Sequence, residues 1–147
     1  LNITMGTPYF NPHVNRPYAR GGYEQPENPI DGVARLLYGC KRAQAEVPDV
    51  VCVATGMSYL RQFGPAIAAG LVEEGGAKCV GWGRGAFAYP DFAKDIIENG
   101  AMTPGKCCVT CGVCTKIMRQ PTGRPGCPVR DTAWYYPEFQ RVLGGKK

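Results

Sequence analysis

The chain has 147 residues, enough for one ordinary domain with a hydrophobic core. Its composition, 44% hydrophobic and 20% charged, is globular and excludes an intrinsically disordered protein. The net charge of +5 is scattered rather than gathered in a stripe, which disfavours nucleic-acid binding, and no apolar run reaches the roughly 20 residues that span a bilayer. A cytoplasmic protein without a nucleic-acid or membrane partner is therefore expected.

The first predicted element is a strand over 1–5, where apolar and polar residues alternate. Because the chain opens inside this strand, its natural start is expected to lie upstream. A proline-rich loop covers 7–30, a length that is uncommon unless the loop serves a site. A helix capped by Asp31 and closed by Pro48 follows. Its inward positions are predicted from helical spacing to be Val33, Leu36, Leu37 and Cys40.

A second strand is predicted over 49–55, a nearly continuous apolar run of the kind buried on both faces of a parallel sheet. The next helix is capped by Ser58 and broken or kinked by Pro65, and a third strand covers 78–83. A last short helix ends at Gly100. The residues of these two helices expected to face inward are Leu60, Phe63, Ile67, Leu71, Phe92, Ile96 and Ile97.

The alternation of strands and helices indicates parallel βα units and an α/β fold. Three such units cannot close a (β/α)8 barrel, which takes eight strands and about 250 residues. An open piece of that size leaves sheet edges and apolar faces bare. The chain is therefore expected to be completed by the rest of its own polypeptide, by another subunit or by another copy of itself.

Five of the eight cysteines crowd into residues 107–127, which favours a metal site in a reducing compartment over disulfides. Three thiolates within a few residues can wrap one face of a [4Fe–4S] cubane, and a distant fourth closes it. Zinc is the main rival, although structural zinc usually takes two separated pairs, and free or disulfide-bonded cysteines are the third alternative. The predicted ligands, spaced x2, x2 and x12, are Cys108, Cys111, Cys114 and Cys127, with Cys107 as a spare.

Glycine follows the second and third strands, in the pairs Gly56-Met57 and Gly83-Arg84. Glycine lets backbone N–H groups approach an anion, and arginine can hold a phosphate with two hydrogen bonds. In (β/α)8 enzymes the usual phosphate site follows strands seven and eight. Ordinary tight βα turns are the alternative for either pair, and no Gly-x-Gly-x-x-Gly fingerprint is present.

Three stretches resemble the last third of the Old Yellow Enzyme family: residues 53–57, residues 80–91, and the cysteine run through 126–131. The chain is most similar to the iron–sulfur branch, which includes trimethylamine dehydrogenase, 2,4-dienoyl-CoA reductase and bile-acid-type NADH:flavin oxidoreductases, and its cysteine spacing is of the trimethylamine-dehydrogenase type. The resemblance implies about strands six to eight of a TIM barrel over 1–103, followed by a cysteine-rich iron–sulfur lobe over 104–147.

The same resemblance implies FMN and a [4Fe–4S] cluster as cofactors and NAD(P)H as the electron donor. It implies an activated alkene, enone or enoyl-type substrate that takes hydride from the flavin, while the cluster relays single electrons. The FMN phosphate would be held by Gly56, Met57, Gly83 and Arg84, and the cluster by the four spaced cysteines. The first five barrel strands of the family, and the pyridine-nucleotide domains of its larger members, have no counterpart in this chain.

The catalytic candidates lie in the proline-rich loop. His13, the only histidine, falls where the dienoyl-CoA reductase branch carries an active-site histidine, and Tyr9 can donate a proton if its ring faces the flavin. Bracing of the loop is the alternative for His13, and Arg16 is an equal candidate for substrate contact. After the cysteines, three aromatic residues are expected to cover the cluster from water: Trp134, Tyr135 and Tyr136.

A second class of function stays open beside the ene-reductase or dehydrogenase. The chain can be a non-catalytic cysteine module, with iron–sulfur or zinc, that docks on a partner carrying the flavin. Flavin retained on the isolated chain favours the enzyme, and a cluster without flavin favours the module.

Overall fold

The computed structural model describes residues 1–5 and 27–144. Its helices are α1 (Pro29–Glu46), α2 (Met57–Leu60), α3 (Gly64–Glu73), α4 (Gly85–Ala88), α5 (Phe92–Asn99), α6 (Val113–Met118) and α7 (Thr132–Leu143). Its strands are β1 (Val53–Ala54) and β2 (Cys79–Val80), and a 3₁₀ helix covers Arg61–Phe63. None of the described helices is both long enough and apolar enough to cross a membrane. The catalytic candidates lie outside the described residues: Tyr9, His13 and Arg16.

Three segments lie side by side and run in parallel. β1 pairs with β2, with Val53 opposite Cys79. On the other side of β1, Asn2 forms a single parallel bridge with Val53. There the N–H of Val53 donates to the carbonyl of Leu1 at 2.7 Å, and its carbonyl accepts from the N–H of Ile3 at 3.1 Å. An α/β arrangement with a small parallel sheet is therefore present, but the sheet has two strands of two residues each, and the predicted strand over 1–5 contributes a single bridge.

The predicted second strand is buried over only part of its length. Cys52 and Ala54 are fully buried, whereas Val50 and Val51 are 41% and 50% exposed. The buried side chain of Gln44 on α1 replaces a strand partner here. Its amide donates to the carbonyl of Val50 at 2.9 Å and accepts from the N–H of Cys52 at 3.1 Å. The prediction of burial on both faces was therefore wrong for the first part of the run.

Helix α1 begins earlier than predicted. Asn28, rather than Asp31, is its N-cap, because the Asn28 side chain accepts a hydrogen bond from the N–H of Ile30 at 2.9 Å. Pro29 occupies the first turn, where its missing N–H costs nothing, and Asp31 lies in the same turn. The inward face is confirmed, since the buried residues of the helix include Val33, Leu36 and Cys40.

The predicted second helix is broken into α2, the 3₁₀ helix and α3. The break precedes Pro65, which lies in the first turn of α3. The predicted cap was wrong, because Gly56 is the N-cap of α2 and the hydroxyl of Ser58 accepts from the N–H of Gly85 at 3.0 Å. Because α3 starts anew at Gly64, its buried face differs from that of the single predicted helix. The buried residues of α3 are Gly64 and Ala68. Two residues expected to face inward are instead 68% and 46% exposed: Phe63 and Ile67.

The predicted stop at Gly100 is confirmed. Gly100 has φ +68°, the left-handed conformation that favours glycine, and its N–H donates to the carbonyl of Ile96 at 2.9 Å. Ile97, expected to face inward, is 83% exposed. Helices α4, α6 and α7 were not predicted, because each is short or lies among glycines and prolines.

The buried core has two parts that meet at Trp82. The first lies between α1, the parallel segments and α3, and its buried members are Cys40, Cys52, Ala54, Met57, Ala68 and Ala77. The second joins α5 to the start of residues 104–144, called the cysteine segment below. Its buried members are Tyr89, Met102 and Cys107. Trp82 packs against both, and its ring lies 5.3 Å from that of Phe92 between centroids. The cysteine segment is thereby anchored to the βα units.

Candidate functional site

The carboxyl ends of the parallel segments open into one pocket of about 380 Å3. It is lined by Asn2, Thr4, Thr55, Gly56, Ser58, Gly81, Trp82, Gly83 and Arg84. Three of the four residues predicted for a phosphate therefore meet in this pocket: Gly56, Gly83 and Arg84. The fourth, Met57, has its side chain fully buried in the core, which leaves its backbone for any such contact.

The turns at Gly56 and Gly83 differ in whether their conformation and surroundings require a glycine. Gly56 has φ +102°, and an added Cβ would lie 3.3 Å from the side chain of Leu36, so both conformation and space call for glycine. At Gly83 an added Cβ meets nothing within 4 Å, so the space beside it is open. The first glycine shapes the turn, and the second leaves room in the pocket.

Arg84 connects this pocket to the cysteine segment. Its Nη1 donates a hydrogen bond to Oγ1 of Thr115, on α6, at 2.6 Å. It also lines a second, smaller cavity together with Cys108 and Cys114. Arg84 thus lines both the pocket at the strand ends and the smaller cavity beside two of the predicted cluster ligands.

Trp82 adds a hydrogen-bond donor that sequence reasoning missed. Trp82 is among the residues that line the larger pocket, and its buried Nε1 has no hydrogen-bond partner within residues 1–5 and 27–144. An indole N–H left in this state loses its hydration without compensation. The signal in the sequence was its place beside Gly81 and Gly83 at a strand end.

Three of the spaced cysteines act electrostatically on the fourth, Cys108. Burial raises the pKa of the Cys108 thiol, a hydrogen bond from the N–H of Thr110 lowers it, and the neighbouring thiols Cys114, Cys127 and Cys111 raise it again. All are free thiols, and no group of His, Cys, Asp or Glu side chains among the described residues forms a metal-ion site. What the fold provides is one thiol, Cys108, within electrostatic range of three others.

The loop around the first three cysteines is tightly turned. Thr110 has φ +55°, a left-handed conformation that is rare for a β-branched residue and indicates a strained backbone. Its N–H points to Sγ of Cys108 at 3.3 Å. Gly112, with φ +73°, then caps α6, which carries Cys114. These turns direct a backbone donor at a sulfur, a contact that also tunes bound iron–sulfur clusters.

Cys107 lies apart from this set, in the core. It is fully buried, and its Sγ lies 3.5 Å from the carbonyl of Thr103. Its own carbonyl accepts a hydrogen bond from Nε of Arg130 at 3.1 Å. Burial raises the pKa of its thiol, while the positive charges of Arg61 and Arg130 lower it. These contacts are those of a packing residue.

Of the three aromatic residues expected to cover the cysteines, only Tyr135 is partly buried, and its ring lies against Gly126. An added Cβ on Gly126 would collide with the ring of Tyr135, so this glycine, next to Cys127, admits the ring. Trp134 is 78% exposed and Tyr136 is 49% exposed, which corrects the expectation for both. Both lie in the first turns of α7, whose N-cap is Asp131.

A carboxylate fastens α7 to the loop between Cys114 and Cys127. Glu138 accepts hydrogen bonds from Nη2 of Arg141 at 2.6 Å and from the N–H of Arg124 at 2.8 Å. The same Nη2 donates to the carbonyl of Thr122 at 2.6 Å. The Arg141 hydrogen bonds, followed by that from Arg124, lower the pKa of Glu138 to about 2.

This clamp predicts a pH dependence of stability. The folded-state pKa of Glu138 lies below its ordinary value of 4.5, so the contribution is full above pH 4.5 and is lost as pH falls towards 2. Glu138→Gln should therefore lower the urea midpoint at pH 7, and the difference from the parent should shrink through this window. Glu46→Gln, which removes the exposed ion pair of Glu46 with Arg42 on α1, is the matched control. It should change neither the urea midpoint at pH 7 nor the way that midpoint depends on pH. A Glu138→Gln deficit that stays constant down to pH 2 would contradict the assignment.

No protein-family model, no curated protein and no solved structure matches this chain. The resemblance to the Old Yellow Enzyme family accordingly rests on the motifs in residues 53–57, 80–91 and 108–131.

Proposed function

We propose that this chain is the C-terminal barrel portion of an FMN- and [4Fe–4S]-dependent oxidoreductase, similar to the iron–sulfur branch of the Old Yellow Enzyme family. It would use NAD(P)H to reduce the activated C=C bond of an enone or enoyl-type substrate in the cytoplasm. The supporting observation is that Arg84 lines the pocket at the strand ends and is also hydrogen bonded to the cysteine segment. The proposed anion site and the proposed cluster site would therefore be neighbours.

The pocket suits the phosphate end of FMN. Backbone N–H groups at Gly56 and Gly83 and the guanidinium of Arg84 are the donors that a phosphate takes, and the carboxyl ends of parallel strands are where α/β proteins hold it. Trp82 is also among the residues that line this pocket, and its buried Nε1 has no hydrogen-bond partner among the described residues. FMN would supply the hydride chemistry, and these residues would bind and orient it.

The thiols suit a cluster in the same way. In a [4Fe–4S] cluster each thiolate binds a different iron, so the four sulfurs surround a group rather than a single ion. Burial raises the pKa of Cys108, and the positive charge of iron offsets that cost by favouring the thiolate. Tyr135 and the glycine beside Cys127 would exclude water on one side.

The rest of the barrel would come from the same polypeptide, another subunit or a second copy. Apolar side chains on the described surface, at Val50, Val51 and Phe63, would be covered by that part. The catalytic candidates Tyr9 and His13 and the substrate stay predictions from the sequence.

An anaerobic absorption spectrum with iron, sulfide and flavin analysis tests the proposal. After reconstitution with iron, sulfide and FMN, the chain should hold about four iron and four sulfide and retain flavin through a desalting column. One zinc and no sulfide would contradict the cluster. A cluster without flavin, found also when the complete polypeptide is used, would contradict the enzyme and support the cysteine module.

A further inference from the structure

The first parallel segment, residues 1–5, forms one wall of the pocket at the strand ends. Ile3 packs against the first part of the core, so Asn2 and Thr4, its neighbours in an extended chain, fall on the opposite face. Both are among the residues that line the pocket. Because β1 lies between this segment and β2, the wall stands across the pocket from Arg84, which follows β2. The position of the segment therefore sets one side of the pocket.

Backbone hydrogen bonds hold only the first part of this segment. They join Leu1 and Ile3 to Val53, and none beyond Ile3 joins the segment to β1 among the described residues. Side chains hold the rest, beginning with Thr55, whose Oγ1 donates to the carbonyl of Ile3 at 3.0 Å. The end of the segment that carries Thr4 is therefore fixed by side chains rather than by the sheet.

Helix α1 supplies two further contacts, both to Met5. Nη1 of Arg35 donates to the carbonyl of Met5 at 2.6 Å, while its Nη2 and Nε donate to the two carboxylate oxygens of Glu27 at 2.6 and 3.4 Å. Both charged side chains are 24% exposed, and this forked pair keeps the guanidinium in place. One turn later Gly39 leaves room for the side chain of Met5, because an added Cβ would lie 2.5 Å from its Cγ and Sδ. The helix thus holds both the backbone and the side chain of Met5.

We propose that Arg35 and Gly39 are positioning residues for the phosphate that the pocket takes. They hold Met5 and, through the backbone, set where Thr4 stands relative to Arg84. This role rests on the proposed function. Neither Arg35 nor Gly39 is among the residues that line the pocket, so both act through the wall rather than by touching the phosphate. A displaced Thr4 costs the phosphate one neutral hydrogen bond, which is worth roughly a fivefold change in affinity.

Titration of the chain with inorganic phosphate, followed by the NMR signals of its backbone amides, tests this role. Arg35→Gln and Gly39→Ala should each raise the phosphate Kd about fivefold. Gly39→Ala changes no charge and suits a helix, so its effect is due neither to electrostatics nor to loss of α1. Gly70→Ala is the matched control. It makes the same change in α3, where an added Cβ meets nothing within 4 Å, and its Kd should equal that of the parent.

Thr4→Val shows whether the two residues act through the wall. It should raise the Kd by a similar factor, and adding Arg35→Gln or Gly39→Ala to it should raise the Kd little further, because the hydrogen bond is already lost. Undiminished losses in the Thr4→Val background would overturn the positioning role and leave the proposed function standing, as would single variants with the parent Kd. A parent chain whose Gly83 and Arg84 amide signals do not respond to phosphate would overturn the anion site and this role with it.

Discussion

Replacing Cys111 by serine is expected to abolish the iron–sulfur cluster, whereas Cys107→Ser should leave it assembled. Cys111 is one of the thiols whose charges act on Cys108, so its loss removes one of four donors. Cys107 lies in the core, and a serine hydroxyl there can donate to the Thr103 carbonyl as the thiol does. Iron and sulfide analysis should give about four of each for the Cys107 variant and markedly less for the Cys111 variant.

Cys79→Ser controls for the loss of an exposed thiol outside the segment and should keep the cluster. The converse result, with Cys107 essential and Cys111 dispensable, would mean that the ligand register is displaced by one residue. Loss of the cluster in every variant, including Cys79→Ser, would point to failed reconstitution conditions, which the parent chain in parallel detects.

Replacing Arg84 by alanine is expected to weaken FMN binding by about 1.5–3 kcal/mol in the complete enzyme, the value of a charge-assisted hydrogen bond lost from a phosphate. This is roughly a tenfold to hundredfold rise in Kd, measured by quenching of flavin fluorescence. Arg84→Lys should recover only part of the loss, because an ammonium cannot form the paired hydrogen bonds of a guanidinium.

Thr115→Val separates the two contacts of Arg84. It removes the hydroxyl that accepts from Nη1 at 2.6 Å but keeps the guanidinium at the pocket. Its FMN affinity should stay close to that of the parent. An Arg84→Ala enzyme with unchanged FMN affinity would show that Arg84 only joins the turn to the cysteine segment.

Local signals predicted the helices where the deciding contacts were local. The stop at Gly100 follows from a left-handed residue that glycine tolerates, and the buried stripe of α1 follows from helical spacing. The same reasoning misplaced two N-caps. Asn28 rather than Asp31 caps α1, and Gly56 rather than Ser58 caps α2. The hydroxyl of Ser58 bonds to a residue on the next βα unit, a partner that no local rule identifies.

The candidate site also contains features that local sequence signals predicted and features that they did not. Glycine turns after two parallel strands must meet at one edge of the sheet, so Gly56, Gly83 and Arg84 were predictable as neighbours. The unpartnered Nε1 of Trp82 and the hydrogen bonds of Glu138 were not predictable. Each depends on which side chains find a hydrogen-bond partner once the helices have packed.

The sequence by itself determined the parallel order of the βα units and the set of cysteines that can converge, because strand direction and short loop spacing leave few alternatives. Only the tertiary structure decided that Cys107 is buried in the core, that Gln44 hydrogen bonds to the backbone of the predicted second strand, and that Arg61 and Arg84 reach across to the cysteine segment. These outcomes depend on contacts between residues far apart in the chain or on competition for burial, and neither is encoded in local spacing.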